Sequence, residues 1–297
     1  MLIHKIAILI VGIGLLCSCQ NTQPESADDF KKEMSGKEKD YWYNGNAELT
    51  SYKLIQSRYG EQHAGHAVLI FVTEPFSPTK FVKADREGNE DISVLKLNAT
   101  KKFETGIYPY SLMTSTFTPF ENTDHALKIS FSGQEWCGHA YMEMVHKFNP
   151  EVEVASYFEG ESFDQKEIPA AFYEDEIWNL IRLESKKLKT GKTQMVPSFE
   201  FLRLYHKEVK AYAAEIVLGE GTENTKLVKL TYPELKRTLE IKYTKDFPFK
   251  ILGWTEQILI DQNTTYTTEA TLNKSINLDY WTKHNVQDSI YRQQLGL

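Results

Sequence analysis

From residue 41 onward, apolar side chains recur at every second position, and that period sets the expected architecture. Segments 47–58, 65–74, 92–98, 126–132, 139–148 and 152–158 alternate or run apolar over strand length, with many aromatic and β-branched residues. Each is predicted to be an antiparallel strand. The turns Asn44-Gly45, Arg86-Glu87-Gly88-Asn89 and Asn149-Pro150-Glu151 punctuate them. Segment 174–188 breaks the period: Ile177, Leu180, Ile181 and Leu188 share one helical face, with acids at the start and lysines at the end, as a helix dipole favours. Beyond that mid-chain helix, segments 210–218, 226–231, 237–243, 250–256 and 264–272 are spaced as a β-meander, and 278–294 is predicted as a terminal helix. The fold class is therefore mainly β. Its antiparallel sheets form one large sheet or two smaller curved β domains or half-barrels, the latter dividing as an N-terminal domain over 41–170 and a helix plus meander over 171–297.

The first forty residues follow neither period. Lys5 gives a basic start, residues 6–16 are an apolar run, and Leu16-Cys17-Ser18-Cys19 follows at once. The run is too short to span a bilayer as a helix and has the charged, apolar and small-residue order of an export signal. Cleavage before Cys19 places an aliphatic residue three positions back and Ser18 immediately back, so residues 1–18 are expected to be a lipoprotein signal peptide and Cys19 the lipidated residue. Residues 19–40 are polar and charged, with Phe30 and Met34 as their large apolar side chains, and are expected to be a flexible tether. At about 0.8 kcal/mol per buried methylene, several acyl chains hold a protein firmly on a membrane. Gln20 rather than an aspartate follows the lipidated cysteine, which favours the outer membrane; neither of its faces is singled out.

Charge narrows the partners. The chain carries 34 basic and 41 acidic residues for a net −7. Such a balance favours solubility and argues against a nucleic-acid partner, whose phosphates need a basic surface. With Cys19 acylated, Cys137 is the remaining thiol, so no internal disulfide forms, and a body of this size is large enough to fold without one.

Candidate chemistry centres on Trp136-Cys137-Gly138-His139. This looks like the thioredoxin-family Trp-Cys-Gly-His-Cys with its resolving thiol replaced by Ala140, so Cys137 as nucleophile and His139 as its base are the catalytic candidates. His63 and His66 flank a small Ala64-Gly65 turn with Glu61 nearby and are the metal-ligand candidates, although no complete ligand set accompanies them. No cofactor fingerprint is present, and no cofactor is expected. Aromatic residues are abundant (16 Tyr, 16 Phe and 5 Trp), and are dense at Tyr41-Trp42-Tyr43, Tyr108-Pro109-Tyr110 and around Trp254. They suit either a β core or a pocket for a sugar or a lipid tail.

The stretches Tyr41-Trp42-Tyr43, Glu135-Trp136-Cys137-Gly138-His139 and Tyr232-Pro233-Glu234-Leu235 resemble a group of bacterial envelope lipoproteins labelled "septum formation inhibitor Maf", over most of residues 41–260. That resemblance implies a compartment and no particular chemistry. The nucleotide pyrophosphatases that share the label carry Ser-x-Ser-Pro-Arg-Arg, where this chain has only Phe76-Ser77-Pro78-Thr79-Lys80. The expected function is that of an envelope-anchored lipoprotein binding a hydrophobic ligand, an envelope polymer or a partner protein. The alternatives are a thiol- or metal-dependent enzyme centred on Cys137 and His139, and an envelope assembly scaffold.

Overall fold

Alternation along the chain is realised as a single continuous sheet. The structure, a computed structural model, describes residues 34–297 apart from 86–87, 89, 122–124, 184–187 and 189. Cys19 and the expected signal peptide lie outside the described residues. The strands are β1 (Ala47–Arg58), β2 (Glu61–Ser77), β3 (Val82–Lys83), β4 (Ile92–Thr105), β5 (Tyr108–Pro119), β6 (Lys128–Glu135), β7 (Gly138–His146), β8 (Pro150–Ser156), β9 (Phe163–Glu167), β10 (Phe172–Tyr173), β11 (Gly191–Val196), β12 (Tyr212–Glu220), β13 (Thr225–Tyr232), β14 (Arg237–Thr244), β15 (Ile251–Leu259) and β16 (Thr265–Leu278). Four short helices accompany them: α1 (Gly36–Trp42), α2 (Ile177–Arg182), α3 (Phe199–Leu204) and α4 (Ile290–Gln294).

The hydrogen-bonded order is β10-β11-β12-β13-β14-β15-β16-β1-β2-β4-β5-β6-β7-β8-β9, with β3 beside β2. All of these pairings are antiparallel except β10 with β11. The two ends of this path, β9 and β10, are consecutive in the chain and are joined by residues 168–171. The Ile168 N–H still donates to Pro150 O on β8 (3.1 Å), and the Ala171 N–H already donates to Gln194 O on β11 (3.0 Å). The sheet therefore curls until its margins meet across one short segment.

The seam expected between residues 170 and 171 does not divide the body. Antiparallel pairing of β16 with β1, from Ala47 opposite Leu278 to Ile55 opposite Glu269, joins the two halves into one sheet, and the described residues form one compact unit. The tether is also shorter than expected. Ser35 caps α1 by accepting from Glu38 N while Glu38 Oε2 accepts from Ser35 N (2.8 Å), and Trp42 at the helix end is buried in the main core. A large aromatic with somewhere to bury pulls the end of a polar segment into the fold.

Each strand contributes to two faces. On β2, Leu69 and Phe71 join the main core, while Val72, with the partly buried Ile70, joins a smaller cluster with Ala47, Leu49 and Leu295 on the other side. That second cluster lies under the C-terminal segment, whose expected long helix is a five-residue α4 preceded by 3-10 turns. The concave face is filled by the segment from Glu174 to Leu204, which holds α2 and α3. Ile177, Leu180 and Ile181 of α2 and Phe199, Phe201, Leu202 and Leu204 of α3 all belong to the main core. The mid-chain helix thus ends at Arg182 rather than continuing to 188, part of the remainder lying outside the described residues.

Candidate functional site

Two concavities stand out, one inside the curled sheet and one outside it. The inner one is organised by the polar first turn of the filling segment. Glu174 is buried and accepts from both terminal nitrogens of Arg237 and from the Tyr232 hydroxyl (2.7 Å), while Arg237 Nε donates to Glu256. Burial raises the Glu174 pKa, but Arg237 overrides it and holds the group below the ordinary carboxylate value. Asp175, next along, has the opposite fate. Burial, then the Glu174 charge, pushes it up to about 8, so it is protonated at neutral pH, and its Oδ2 accepts from Phe199 N (3.1 Å). These acids were expected in the first turn of a helix, and they lie there, but buried as the polar part of the core inside the curled sheet.

The same segment ties both halves of the sheet together. Asn179 Nδ2 donates toward Leu95 O (3.0 Å), Thr116 O (3.3 Å) and Thr118 Oγ1 (2.9 Å) on β4 and β5. Arg182, 1% exposed, forms a fork on Glu48 of β1 (Nη1 to Oε1 2.8 Å, Nη2 to Oε2 2.9 Å), donates through Nε to Pro248 O (2.9 Å), and stacks on Phe71 at 4.3 Å. The cavity left beside Asp175, Ser198, Trp178 and Trp254 measures about 50 Å³. A water needs on the order of 10–15 Å³ by this measure, whereas organic ligands occupy sites of about 300–1,000 Å³. The inner concavity suits a few waters.

The outer groove is larger, about 330 Å³. Its floor is the β2 segment Val72 to Pro75, and its walls are the link between α1 and β1, the start of β4, and the turn that follows β16. Tyr43 and Trp281 are each about half exposed (50% and 51%) at its margins, and Asn46, Thr73, Asp91 and Ser93 supply polar atoms. Tyr43 is held in place, its hydroxyl donating to Ser93 Oγ (2.9 Å) and its ring lying 5.5 Å from Phe120, and Thr73 Oγ1 donates to the backbone carbonyl of Trp42 (2.6 Å). The Tyr41-Trp42-Tyr43 run singled out in the sequence leads directly into this groove. Trp281 reaches it from the far end of the chain, which only the β16–β1 pairing brings near.

The expected catalytic pair sits elsewhere. Trp136-Cys137 is the two-residue turn between β6 and β7, not a helix N-terminus. Cys137 is exposed, its N–H donates to Glu135 Oε2 (2.6 Å), and interaction with that carboxylate pushes the thiol up, the reverse of what a thiolate nucleophile needs. Glu135 in turn is paired with Arg203 of α3 (3.3 Å). His139 is exposed on β7, and no hydrogen bond joins it to Cys137. The expected metal ligands are separated as well. His63 and His66 lie within β2 rather than around a turn, and three positions apart on a strand they point to opposite faces. His63 Nε2 meets Arg58 O (3.1 Å), and His66 is lowered by burial and by the charges of Lys102 and Arg292. Among the described residues, no group of three or more His, Cys, Asp or Glu side chains is placed to hold a metal ion. Two histidines that look scattered in sequence do meet: the rings of His125 and His146 stack at 4.8 Å, with His125 Nδ1 3.4 Å from Glu176.

No family model matches the chain, and no curated protein matches it. Among solved structures it is similar to a β-barrel-like protein of a domain of unknown function, DUF1849, from Brucella abortus, at 11% sequence identity and a TM-score of 0.47, over 78% of this chain and 97% of that one.

Proposed function

We propose that the protein is an envelope-anchored binding protein, held to the outer membrane by acyl chains on Cys19, whose outer groove takes saccharide units of an envelope polymer. The observation that carries this reading is the pairing of volume with chemistry. A groove of about 330 Å³ with two half-exposed aromatic rings and four polar side chains offers flat faces for the C–H side of a sugar ring and hydrogen bonds for its hydroxyls. An acyl chain or other apolar ligand finds no comparable space inside the sheet, where α2 and α3 fill the concavity and carboxylates line what remains.

Titration of the protein with soluble peptidoglycan fragments and with lipopolysaccharide core oligosaccharide, followed by tryptophan fluorescence, tests the reading. Saturable quenching is expected with one of them, weakened roughly tenfold in Trp281→Ala, since a stacked aromatic contributes about 0.5–1.5 kcal/mol beyond its buried area. Absence of saturation, or equal affinity in the variant, removes the saccharide assignment. Incorporation of labelled palmitate into wild type and not into Cys19→Ala tests the anchor separately.

A further inference from the structure

Among the described residues four arginines are buried, and three of them are matched by carboxylates: Arg182 by Glu48, Arg203 by Glu135, and Arg237 by Glu174 and Glu256. Arg58, at the end of β1, is the exception. It is 7% exposed, no carboxylate of the described residues lies within ion-pair distance, and its Nε has no hydrogen-bond partner. Its Nη1 donates to Leu204 O, and its guanidinium faces the ring of Tyr59 at 4.3 Å, with those of Tyr110 (5.8 Å) and Tyr205 (6.0 Å) around it. A buried cation without a counter-anion is costly, and the rings and one carbonyl compensate it only in part.

Arg58 Nη2 donates to the Tyr59 hydroxyl, and the Tyr110 hydroxyl also bears on the guanidinium. The Tyr59 hydroxyl lies 3.3 Å from Nη2, 2.9 Å from the Tyr110 hydroxyl and 3.4 Å from the Tyr108 hydroxyl. Three donors can converge on that point, which is the environment of an oxyanion rather than of a neutral phenol. Burial works against charge there, but the hydrogen bonds from Tyr108, Tyr110 and Arg58 lower the Tyr59 phenol below its ordinary value. Tyr59 is itself an unexpected choice. It occupies the first position of the Tyr59-Gly60 turn at φ +54°, a left-handed conformation that such hairpins ordinarily give to Asn, Asp or Gly, and it remains 60% exposed. Held by its hydroxyl and by the Arg58 guanidinium over one ring face, and otherwise exposed, this side chain is placed to swing outward and vacate the oxygen position.

We propose that Arg58, Tyr108 and Tyr110 form a binding site for an oxyanion, a phosphate or carboxylate group, which takes the position that the Tyr59 hydroxyl now fills. The site opens among the hairpin tips Tyr59-Gly60, Gly106-Ile107 and Trp136-Cys137, which the antiparallel order puts at one end of the sheet, and Ile107 and Trp136 are exposed beside it (84% and 69%). The Trp136 ring packs 6.3 Å from that of Tyr108, so it reports on the site. The anion is therefore one carried on a small molecule or on a lipid headgroup, with apolar contacts available next to it.

The test follows Trp136 fluorescence while inorganic phosphate, acetate, phosphatidylglycerol vesicles or phosphatidylcholine vesicles are added at constant ionic strength. A saturable response to phosphate or acetate is expected, and Arg58→Gln weakens it at least roughly tenfold, the value of a charged hydrogen bond. Tyr59→Phe, which removes the resident oxygen, binds at least as tightly as wild type. A response confined to phosphatidylglycerol vesicles, weakened in Arg58→Gln and kept in Tyr59→Phe, places the oxyanion on a lipid headgroup. No saturable response in any arm, or an unchanged response in Arg58→Gln, overturns the proposal. Should Arg58→Gln fail to fold, Tyr108→Phe decides: it removes one donor and keeps the ring, and affinity equal to wild type overturns the proposal in the same way.

Discussion

Neutralising Glu48 is the sharpest perturbation of the interior, because it leaves the fully buried Arg182 without its fork. Burial raises the Glu48 pKa, and Arg182, Lys250 and the Tyr41 hydroxyl outweigh it, leaving the carboxyl at about 2 against an ordinary 4.5. A difference of that size corresponds to about 3 kcal/mol favouring the folded state whenever Glu48 is ionised. The sign follows from the depressed folded value: the contribution is complete above about pH 4.5 and is lost as pH falls toward 2. At pH 7, Glu48→Gln is expected to cost about 3–5 kcal/mol, since it strands a charge in a site closed by Phe71 and Trp42. The double variant Glu48→Met/Arg182→Met removes both charges and is expected to lie within about 1–2 kcal/mol of wild type, or above it. Urea unfolding followed by tryptophan fluorescence, at pH 7 and at pH 3, measures all three proteins. A Glu48→Gln loss of less than about 1 kcal/mol, or a double variant that loses as much as Glu48→Gln, refutes the reasoning.

Three further outcomes follow from other sites. Asp175 has a folded pKa of about 8 against an ordinary 3.8, so the folded state holds a proton that the unfolded chain has lost, and stability falls with rising pH across that window by up to about 1.4 kcal/mol per unit. Asp175→Asn cannot ionise and should flatten that slope between pH 5 and pH 8 in urea midpoints; parallel profiles for the two proteins exclude the assignment. Cys137 should react with iodoacetamide more slowly at pH 7 than a free cysteine, and Glu135→Gln should speed it; equal alkylation rates in both proteins would show that the carboxylate does not control the thiol. Gly65→Ala should cost about 1–3 kcal/mol, because a Cβ there meets Lys102 O at 2.3 Å and Phe103 Cβ at 2.8 Å where β2 and β4 pair, and an unshifted thermal midpoint would show that the strands give way freely.

The β architecture was legible wherever polar and apolar residues alternate cleanly, as in β6, where Ile129, Phe131, Gly133 and Glu135 are buried and Ser132 and Gln134 are exposed. It was hidden in β5. There Thr114, Ser115, Thr116 and Thr118 are all buried, two of them because their hydroxyls serve the filling segment: Thr116 Oγ1 donates to Asp175 O (3.2 Å) and Thr118 accepts from Asn179. The helix α3 was invisible for a related reason. Phe199, Phe201, Leu202 and Leu204 are buried on several sides, so no apolar stripe marks it, although Ser198 caps it by accepting from Phe201 N (3.3 Å). Pairings between distant segments left no local mark either. Trp281 and Tyr43 line one groove, and Arg58 lies beside Tyr110, only because of strand order, whereas His63 and His66, close in sequence, are assigned opposite faces by the strand period, and Cys137 falls in a turn rather than at a helix start.

The pairing of β1 with β16 also governs when this molecule can be finished. The first long strand to be synthesised finds one of its neighbours, β2, at once, but the other only after residues 265–278 have followed, and α2 and α3 have no enclosure to fill until then. Until residues 265–278 have been made, β1 keeps one raw margin, so completion of the sheet is held back to a late moment in the life of the nascent polypeptide.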